Sequence, residues 1–201
     1  MSNYKILRGS TPLTQAEQDS IVVVDDRFSI LVPQGMMFSS DRDELPDKAF
    51  ILFSTDGEGE MSDPYDIEFY SSARVRLCIN SGFKPFNGTA DFSNEQLRQA
   101  IAKTCIDNLS GILGALSKMT GVKSLPPFVV KNDEEAVVVA ATNGVMGNAG
   151  FMLAVPSGLY TGMYRVSGVE SPGKASSKPA SPAEFKAVAE ELLGSIGGPQ
   201  P

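Results

Sequence analysis

The absence of histidine limits which side chains of this sequence could act in catalysis or metal binding. Its 201 residues include no histidine, which removes Ser-His-Asp and Cys-His catalysis and His-ligated zinc. Acidic residues, lysines and tyrosines occur throughout, but no spacing pairs a nucleophile with a base. The sequence therefore predicts a protein without catalytic activity and without a cofactor. An enzyme that uses carboxylates without histidine is the alternative.

Acidic side chains are concentrated in the segment 41–68, which carries ten acidic and two basic residues in a chain of net charge −7. A solvated acidic loop is one interpretation. The other is a docking surface for a basic protein partner, with Asp56, Glu58, Glu60 and Asp63 as candidate contacts. A calcium site is not indicated, because the ligand order of an EF-hand is missing. Nucleic-acid binding is disfavoured, since no basic patch stands out.

Three glycines at three-residue spacing, from Gly144 to Gly150, resemble the glycine pattern of a phosphate-binding loop. Such a loop must lead from a strand into a helix. Here it leads into the apolar run 151–155, which is typical of a strand, so the glycines indicate a hairpin connection. Its apolar tip, Val145 and Met146, is a second candidate contact for a protein partner.

The segment 67–79 shows a period-two alternation of apolar and polar residues, which predicts strand structure with a bend or bulge near Ser71 and Ser72. Tyr70, Arg74 and Arg76 share the polar side with Glu68. Arg74 and Arg76 are candidate contacts for an anion, and cross-strand ion pairing is the alternative.

Two cysteines, Cys78 and Cys105, have no histidine to activate them, and we expect buried, inert thiols. The first residues lack the apolar stretch of a signal peptide, and no window has the ~20 apolar residues of a membrane span. We therefore expect a cytoplasmic protein with reduced thiols.

The elements that must position these residues include one long helix, predicted over Ser93–Met119. Ser93 with Gln96 forms a capping box, and Gly121 is the expected C-cap. Gly111 and Gly114 inside the helix indicate close packing, a kink or room for a ligand. One apolar stripe runs along the helix, formed by Leu97, Ile101, Cys105, Leu109, Ile112, Leu116 and Met119.

Strands surround this helix in the sequence, and a second helix ends the chain. The last helix begins at Ser181 with a capping box to Glu184. Residues 1–18 are a polar N-terminal segment, and the Ser/Pro/Gly-rich residues 168–180 predict a flexible loop. Strands are predicted at 21–33 (a hairpin), 49–54, 128–131, 135–142, 150–155 and 159–167. The segment 136–141 is apolar enough to be central, and the segment 49–54 is expected to be central or covered on both sides.

The run Phe28-Ser-Ile-Leu-Val-Pro-Gln-Gly35, followed by Met36, Met37 and Phe38, resembles the opening of PsbP-like proteins. This group includes the PsbP subunits of photosystem II, Mog-type Ran-binding proteins and bacterial DcrB-type proteins. The late segment 156–160 and the end of the last helix, 192–196, are also similar. The tryptophan usual after the glycine is absent, and the segment 41–68 and the loop 168–180 are additional. The resemblance implies an α/β/α sandwich and a binding or adaptor role, and it carries over no individual functional residue.

Together these patterns predict a single α+β domain over residues 1–201, with a mainly antiparallel sheet, a long central helix and a C-terminal helix packed on it. The predicted function is protein binding of an adaptor or chaperone-like kind. The alternative is a small-ligand-binding protein whose cavity lies between the long helix and the sheet, beside Gly111 and Gly114. A homodimer through exposed sheet edges is compatible with the pattern.

Overall fold

The structure is a computed structural model that describes backbone and side chains at residue 28 and at residues 84–143, 147–166 and 180–198. Backbone alone is described for the strand segments 4–6, 22–24, 29–31, 51–53, 67–71, 75–79, 167–171 and 174–179. The candidate contacts Asp56, Glu58, Glu60, Asp63, Arg74, Val145 and Met146 lie outside the described residues.

The described strands form two sheets. The smaller sheet contains β1 (Tyr4–Ile6), β2 (Val22–Val24) and β3 (Ser29–Leu31). The larger contains β4 (Ile51–Phe53), β5 (Ile67–Ser71), β6 (Val75–Ile79), β7 (Lys84–Pro85), β8 (Phe128–Asn132), β9 (Val137–Ala140), β10 (Asn148–Val155), β11 (Gly158–Ser171) and β12 (Lys174–Pro179). Its order is β4-β5-β6-β11-β10-β9-β8, with β7 and β12 also paired to β11.

Every pairing described in the larger sheet is antiparallel. Among the described residues, two helices accompany it: α1 (Glu95–Thr120) and α2 (Pro182–Leu192), the latter followed by a 3₁₀ turn at Leu193–Ser195. The predicted α+β class, with a mainly antiparallel sheet and two helices, is therefore confirmed.

Strand β9 shows how the helices pack on the sheet, because successive strand residues point to opposite faces. Val137 and Val139 contact buried residues of α1, among them Ala102 and Cys105. Val138 and Ala140 belong instead to the cluster that contains Phe185, Ala189 and Leu192 of α2. All four residues of β9 are buried, and β9 has strand neighbours on both sides, so the prediction of a central strand here is confirmed.

Local sequence signals fix the helix ends. Ser181 accepts a hydrogen bond from the Glu184 N–H, and the Glu184 carboxylate accepts one from the Ser181 N–H, which is the predicted capping box. Gly121 ends α1 at φ 73°, as expected. The start of α1 lies one residue later than predicted: Asn94 accepts from the Leu97 N–H. Ser93 cannot act as the cap because its N–H and hydroxyl both donate to Asp91 Oδ1.

The alternating segment 67–79 is a hairpin of β5 and β6, not one long strand with a bend. Ser71 pairs with Val75, so the chain reverses over three residues. An odd-numbered connection preserves the alternation, and the pairs Glu68–Cys78 and Tyr70–Arg76 lie directly opposite each other. The predicted division into two sides is correct, although the strand is folded back on itself.

Two further expectations differ from the structure. The segment 49–54, expected to be central or covered on both sides, contributes β4, which ends the strand order and so is not central among the described strands. The segment 168–180 was expected to be a loop, but its described backbone continues β11 and forms β12. The two strands pair with register shifts after Ser167 and Val169, so pairing to β11 outweighs the turn-forming composition.

Helix length and hydropathy bear on membrane insertion. Within the part of the chain that the structure describes, no helix is both long enough and apolar enough to cross a bilayer.

Candidate functional site

The first half of α1 lies directly on the sheet. Cys105 and Leu109 pack on Val139 of β9 and Met152 of β10 in one buried cluster. Gly150 of β10 allows this approach, since a Cβ at that position would lie only 3.3 Å from Leu109 Cδ2. The close packing predicted at Gly111 and Gly114 is absent, since a Cβ at either position would meet no atom within 4 Å; the close approach is at Gly150 of the strand.

The second half of α1 extends beyond the strands that support the first. A helix of 26 residues is about 39 Å long at 1.5 Å per residue. β9 has 4 residues and covers only about 13 Å. β9 ends at Ala140, and the described strand residues that line the groove beneath the later turns of α1 belong to β10 and β11.

A groove of about 540 Å³ occupies this position. Its helix wall is formed by Leu109, Ile112, Leu113, Leu116 and Ser117, and its floor by residues 148–152 of β10. Residues 161–163 of β11 form the opposite wall, and Val122, Ser124 and Asn143 close one end. The groove therefore lies between helix and sheet, where the sequence placed the cavity of a small-ligand-binding protein.

Large apolar side chains at the groove are exposed to solvent. The exposed fractions are 54% for Ile112, 37% for Leu116, 44% for Val122 and 48% for Met163. Scattered exposed apolar residues are ordinary, whereas a contiguous set around a concave surface is typical of a binding site. These four residues are called the apolar rim below.

Hydrogen bonds hold the closed end of the groove. Asn143 Oδ1 accepts from the Leu125 N–H at 3.1 Å, and Asn143 Nδ2 donates to the Lys123 carbonyl at 2.9 Å. These bonds attach the chain that leaves α1 to the chain that leaves β9. The Tyr164 hydroxyl donates to the Ala141 carbonyl from the other side of the sheet. These hydrogen bonds connect the segments that form the closed end of the groove.

Burial also raises the pKa values of two side chains near the site, Cys105 and Tyr164. It raises the pKa of the Cys105 thiol to about 11, so the thiol stays protonated at neutral pH. Cys105 is free and buried, which confirms the expected inert thiol at this position. Burial likewise raises the pKa of Tyr164 well above its ordinary value. Cys78 contributes backbone to β6, and its side chain lies outside the described residues.

The groove offers no acid–base group in its described lining, whose polar side chains are Ser117, Ser124, Asn143, Asn148 and Thr161. No group of three or more potential metal ligands occurs among the described residues either. The chemistry that this surface supports is therefore apolar contact with a few neutral hydrogen bonds.

The sequence analysis placed its expected cavity between the same helix and sheet that border the groove, but it named other residues. Gly111 and Gly114 do not line the groove, and a Cβ at either would meet no atom within 4 Å. The residues that do line it, such as Leu116 and Met163, are ordinary apolar side chains in the sequence. The available signal was the length of the apolar stripe on α1 relative to the short strands predicted beside it.

Arg76 is the one candidate anion contact with described backbone. In the register of the sheet it lies directly opposite Arg165 of β11. Arg165, in turn, lies opposite Asn148 of β10, at the closed end of the groove.

In comparisons with known proteins, no protein-family model, curated protein or solved structure matches this chain. The resemblance to PsbP-like proteins therefore stays a prediction.

Proposed function

We propose that this protein binds a small apolar ligand in the groove between the second half of α1 and strands β10 and β11. The observation that carries the proposal is the apolar rim, which stays exposed around the groove. The volume of about 540 Å³ falls within the range of about 300–1,000 Å³ that is usual for small-molecule sites.

The expected affinity follows from the area that a ligand removes from water. Each buried CH₂ group contributes about 0.8 kcal/mol, so a chain of about ten carbons gains about 8 kcal/mol. Covering the half-exposed rim adds a few kcal/mol, and association costs at least about 4 kcal/mol. We therefore expect dissociation constants in the range of about 1–100 µM.

A fluorescent apolar probe tests this proposal. 1-N-phenylnaphthylamine is titrated into the wild-type protein and into Ile112→Glu, which places a charge in the apolar rim. Met119→Glu is the matched control, because Met119 lies two turns further along α1, is 82% exposed and does not line the groove. Circular dichroism confirms that all three proteins are folded.

We expect saturable binding to the wild type, at least tenfold weaker binding to Ile112→Glu, and a change of less than twofold in Met119→Glu. Absence of saturable binding to the folded wild type would overturn the proposal. Equal losses in the two variants would also overturn it, because they would place the probe outside the groove.

Protein binding by an adaptor or chaperone-like domain stays a prediction. Its candidate contacts, in the acidic segment and at the hairpin tip, lie outside the described residues. The hypothesis of an enzyme that uses carboxylates gains no support from the groove, whose described lining contains no ionisable side chain.

A further inference from the structure

We infer that the ligand of the groove is an amphiphile with one anionic head group, held with its apolar chain against Leu109 and Met152 and its head group beside Arg165. This inference rests on the proposed function and names the class of ligand. It follows from the polarity of the two ends of the groove and from the arginines beside one of them.

The direction of the groove is fixed by the contacts of α1 with β10. Ala102 packs with Ala154, and Leu109 packs with Met152 further along the helix. Since residue numbers rise along α1 as they fall along β10, the two elements run antiparallel. Ser117 therefore lies toward Asn148, and Leu109 lies toward Met152.

The two ends differ in polarity. At the first end Leu109 and Met152 are both almost fully buried, and both are apolar. The other end brings together Ser117, Ser124 and the two amide side chains Asn143 and Asn148. A ligand that matches both ends is apolar along most of its length and polar at one terminus.

Arg165 gives the polar end its charge. It lies opposite Asn148 in the register, two residues beyond Met163 on β11, and so projects from the same face of the sheet as this groove residue. The Arg165 side chain also passes over Gly147, since its Cγ and Nε lie 3.7 Å from the position that a Cβ at residue 147 would take. Arg165 is thus placed next to Asn148, beside the closed end of the groove.

A second arginine occupies the position next to it. Arg76 of β6 is directly opposite Arg165 in the antiparallel pair, and like charges directly opposite each other destabilise a sheet. Among the described ion pairs, which involve Lys103, Lys131 and Lys186, none includes Arg165. The acidic position nearest in register is Glu68, which is opposite Cys78 and diagonal to Arg76.

An anionic head group at this point would meet a guanidinium, which binds carboxylates and phosphates through paired hydrogen bonds. Arg76 would add a second positive charge at the neighbouring register position. A cationic head group would add a third positive charge. The groove should therefore distinguish amphiphiles of equal chain length by the sign of their head group.

The test is displacement of bound 1-N-phenylnaphthylamine by dodecanoate or by dodecyltrimethylammonium, each below its micelle-forming concentration. The proteins are the wild type, Arg165→Gln and Lys103→Gln. The last is the matched control because it removes one positive charge from an exposed lysine that pairs with Asp107 on the first half of α1.

In the wild type we expect dodecanoate to displace the probe at a concentration at least tenfold lower than dodecyltrimethylammonium does. This preference should fall to less than threefold in Arg165→Gln and persist in Lys103→Gln. Equal displacement by both amphiphiles in the wild type would overturn the head-group assignment and leave the groove as a site for neutral ligands. Equal loss of preference in both variants would also overturn it, as an effect of net charge alone. Failure of the wild type to bind the probe would instead overturn the proposed function itself.

Discussion

The two halves of α1 carry the same apolar stripe but have different surroundings. In the first half, Cys105 and Leu109 are buried against β9 and β10. In the second half, Ile112, Leu116 and Met119 continue the stripe at the same spacing, yet they are exposed. The difference shows that periodicity defines which side of a helix is apolar, whereas the length of the supporting strands determines how much of that side is covered.

The largest expected effect is a difference in the free energy of unfolding between alanine variants of two leucines on the apolar stripe of α1. Leu109→Ala should lower the free energy of unfolding by about 2–5 kcal/mol, because it leaves a cavity in a buried cluster. Leu116→Ala should lower it by about 1 kcal/mol or less, since Leu116 already faces solvent. Urea denaturation followed by circular dichroism measures both. Similar losses in the two variants would mean that the second half of α1 is as tightly packed as the first.

A smaller expected effect is the pH dependence of stability that comes from Cys105, the buried thiol in the first half of α1. The pKa of Cys105 is raised from an ordinary value of 9.0 to about 11. The folded state therefore holds this proton more tightly than the unfolded state. The resulting stabilisation is complete below about pH 9 and is lost as the pH rises toward 11.

Cys105→Ala removes the thiol and so serves as the reference protein. The difference in free energy of unfolding between the wild type and Cys105→Ala should narrow when urea denaturation is repeated at increasing pH up to about 11. A difference that stays constant through the interval would show that the thiol is accessible to water, and so that the first half of α1 is not closed over the sheet.

The smallest expected change in the free energy of unfolding comes from replacing the two glycines in the second half of α1. Gly111→Ala and Gly114→Ala should each raise the free energy of unfolding by up to about 1 kcal/mol, because alanine favours helix and its methyl group would meet open space. Gly121→Ala is the contrasting control: its φ of 73° is costly for an L-residue, by about 1 kcal/mol. Thermal unfolding measures all three. Destabilisation by the first two variants would reveal a surface packed against that side of the helix.

Much of the fold could be predicted because its signals are local. The capping box at Ser181, the C-cap at Gly121 and the alternation of β5 and β6 depend on residues close together in the sequence. The reversal at Ser71 could not be predicted in the same way, because a three-residue connection leaves the alternation unchanged. Asn94 replaced Ser93 as the helix cap because Asp91 competes for the hydrogen bonds of Ser93.

The candidate site was less predictable than the fold. Ile112 and Met163 come from elements distant in the sequence, and each has the composition of a core residue. Their exposure depends on where β9 ends and on how far α1 extends past it, and both are properties of the assembled sheet. The arginine pair likewise depends on register, since Arg76 and Arg165 become neighbours only when β6 pairs with β11.

The pairing of β6 with β11 has a consequence for the order of folding. Strands β8, β9, β10 and β11 are consecutive in the chain and adjacent in the sheet, as are β4, β5 and β6. Each set can form through short-range contacts, which assemble quickly. Joining the sets brings Val75 to Val166 across the whole of α1 and four strands, β7 to β10, and closing so long a loop is entropically costly. We therefore expect the two sets of strands to form first and their association to be the slow step, so that the floor and the β11 wall of the groove form before the arginine pair beside them.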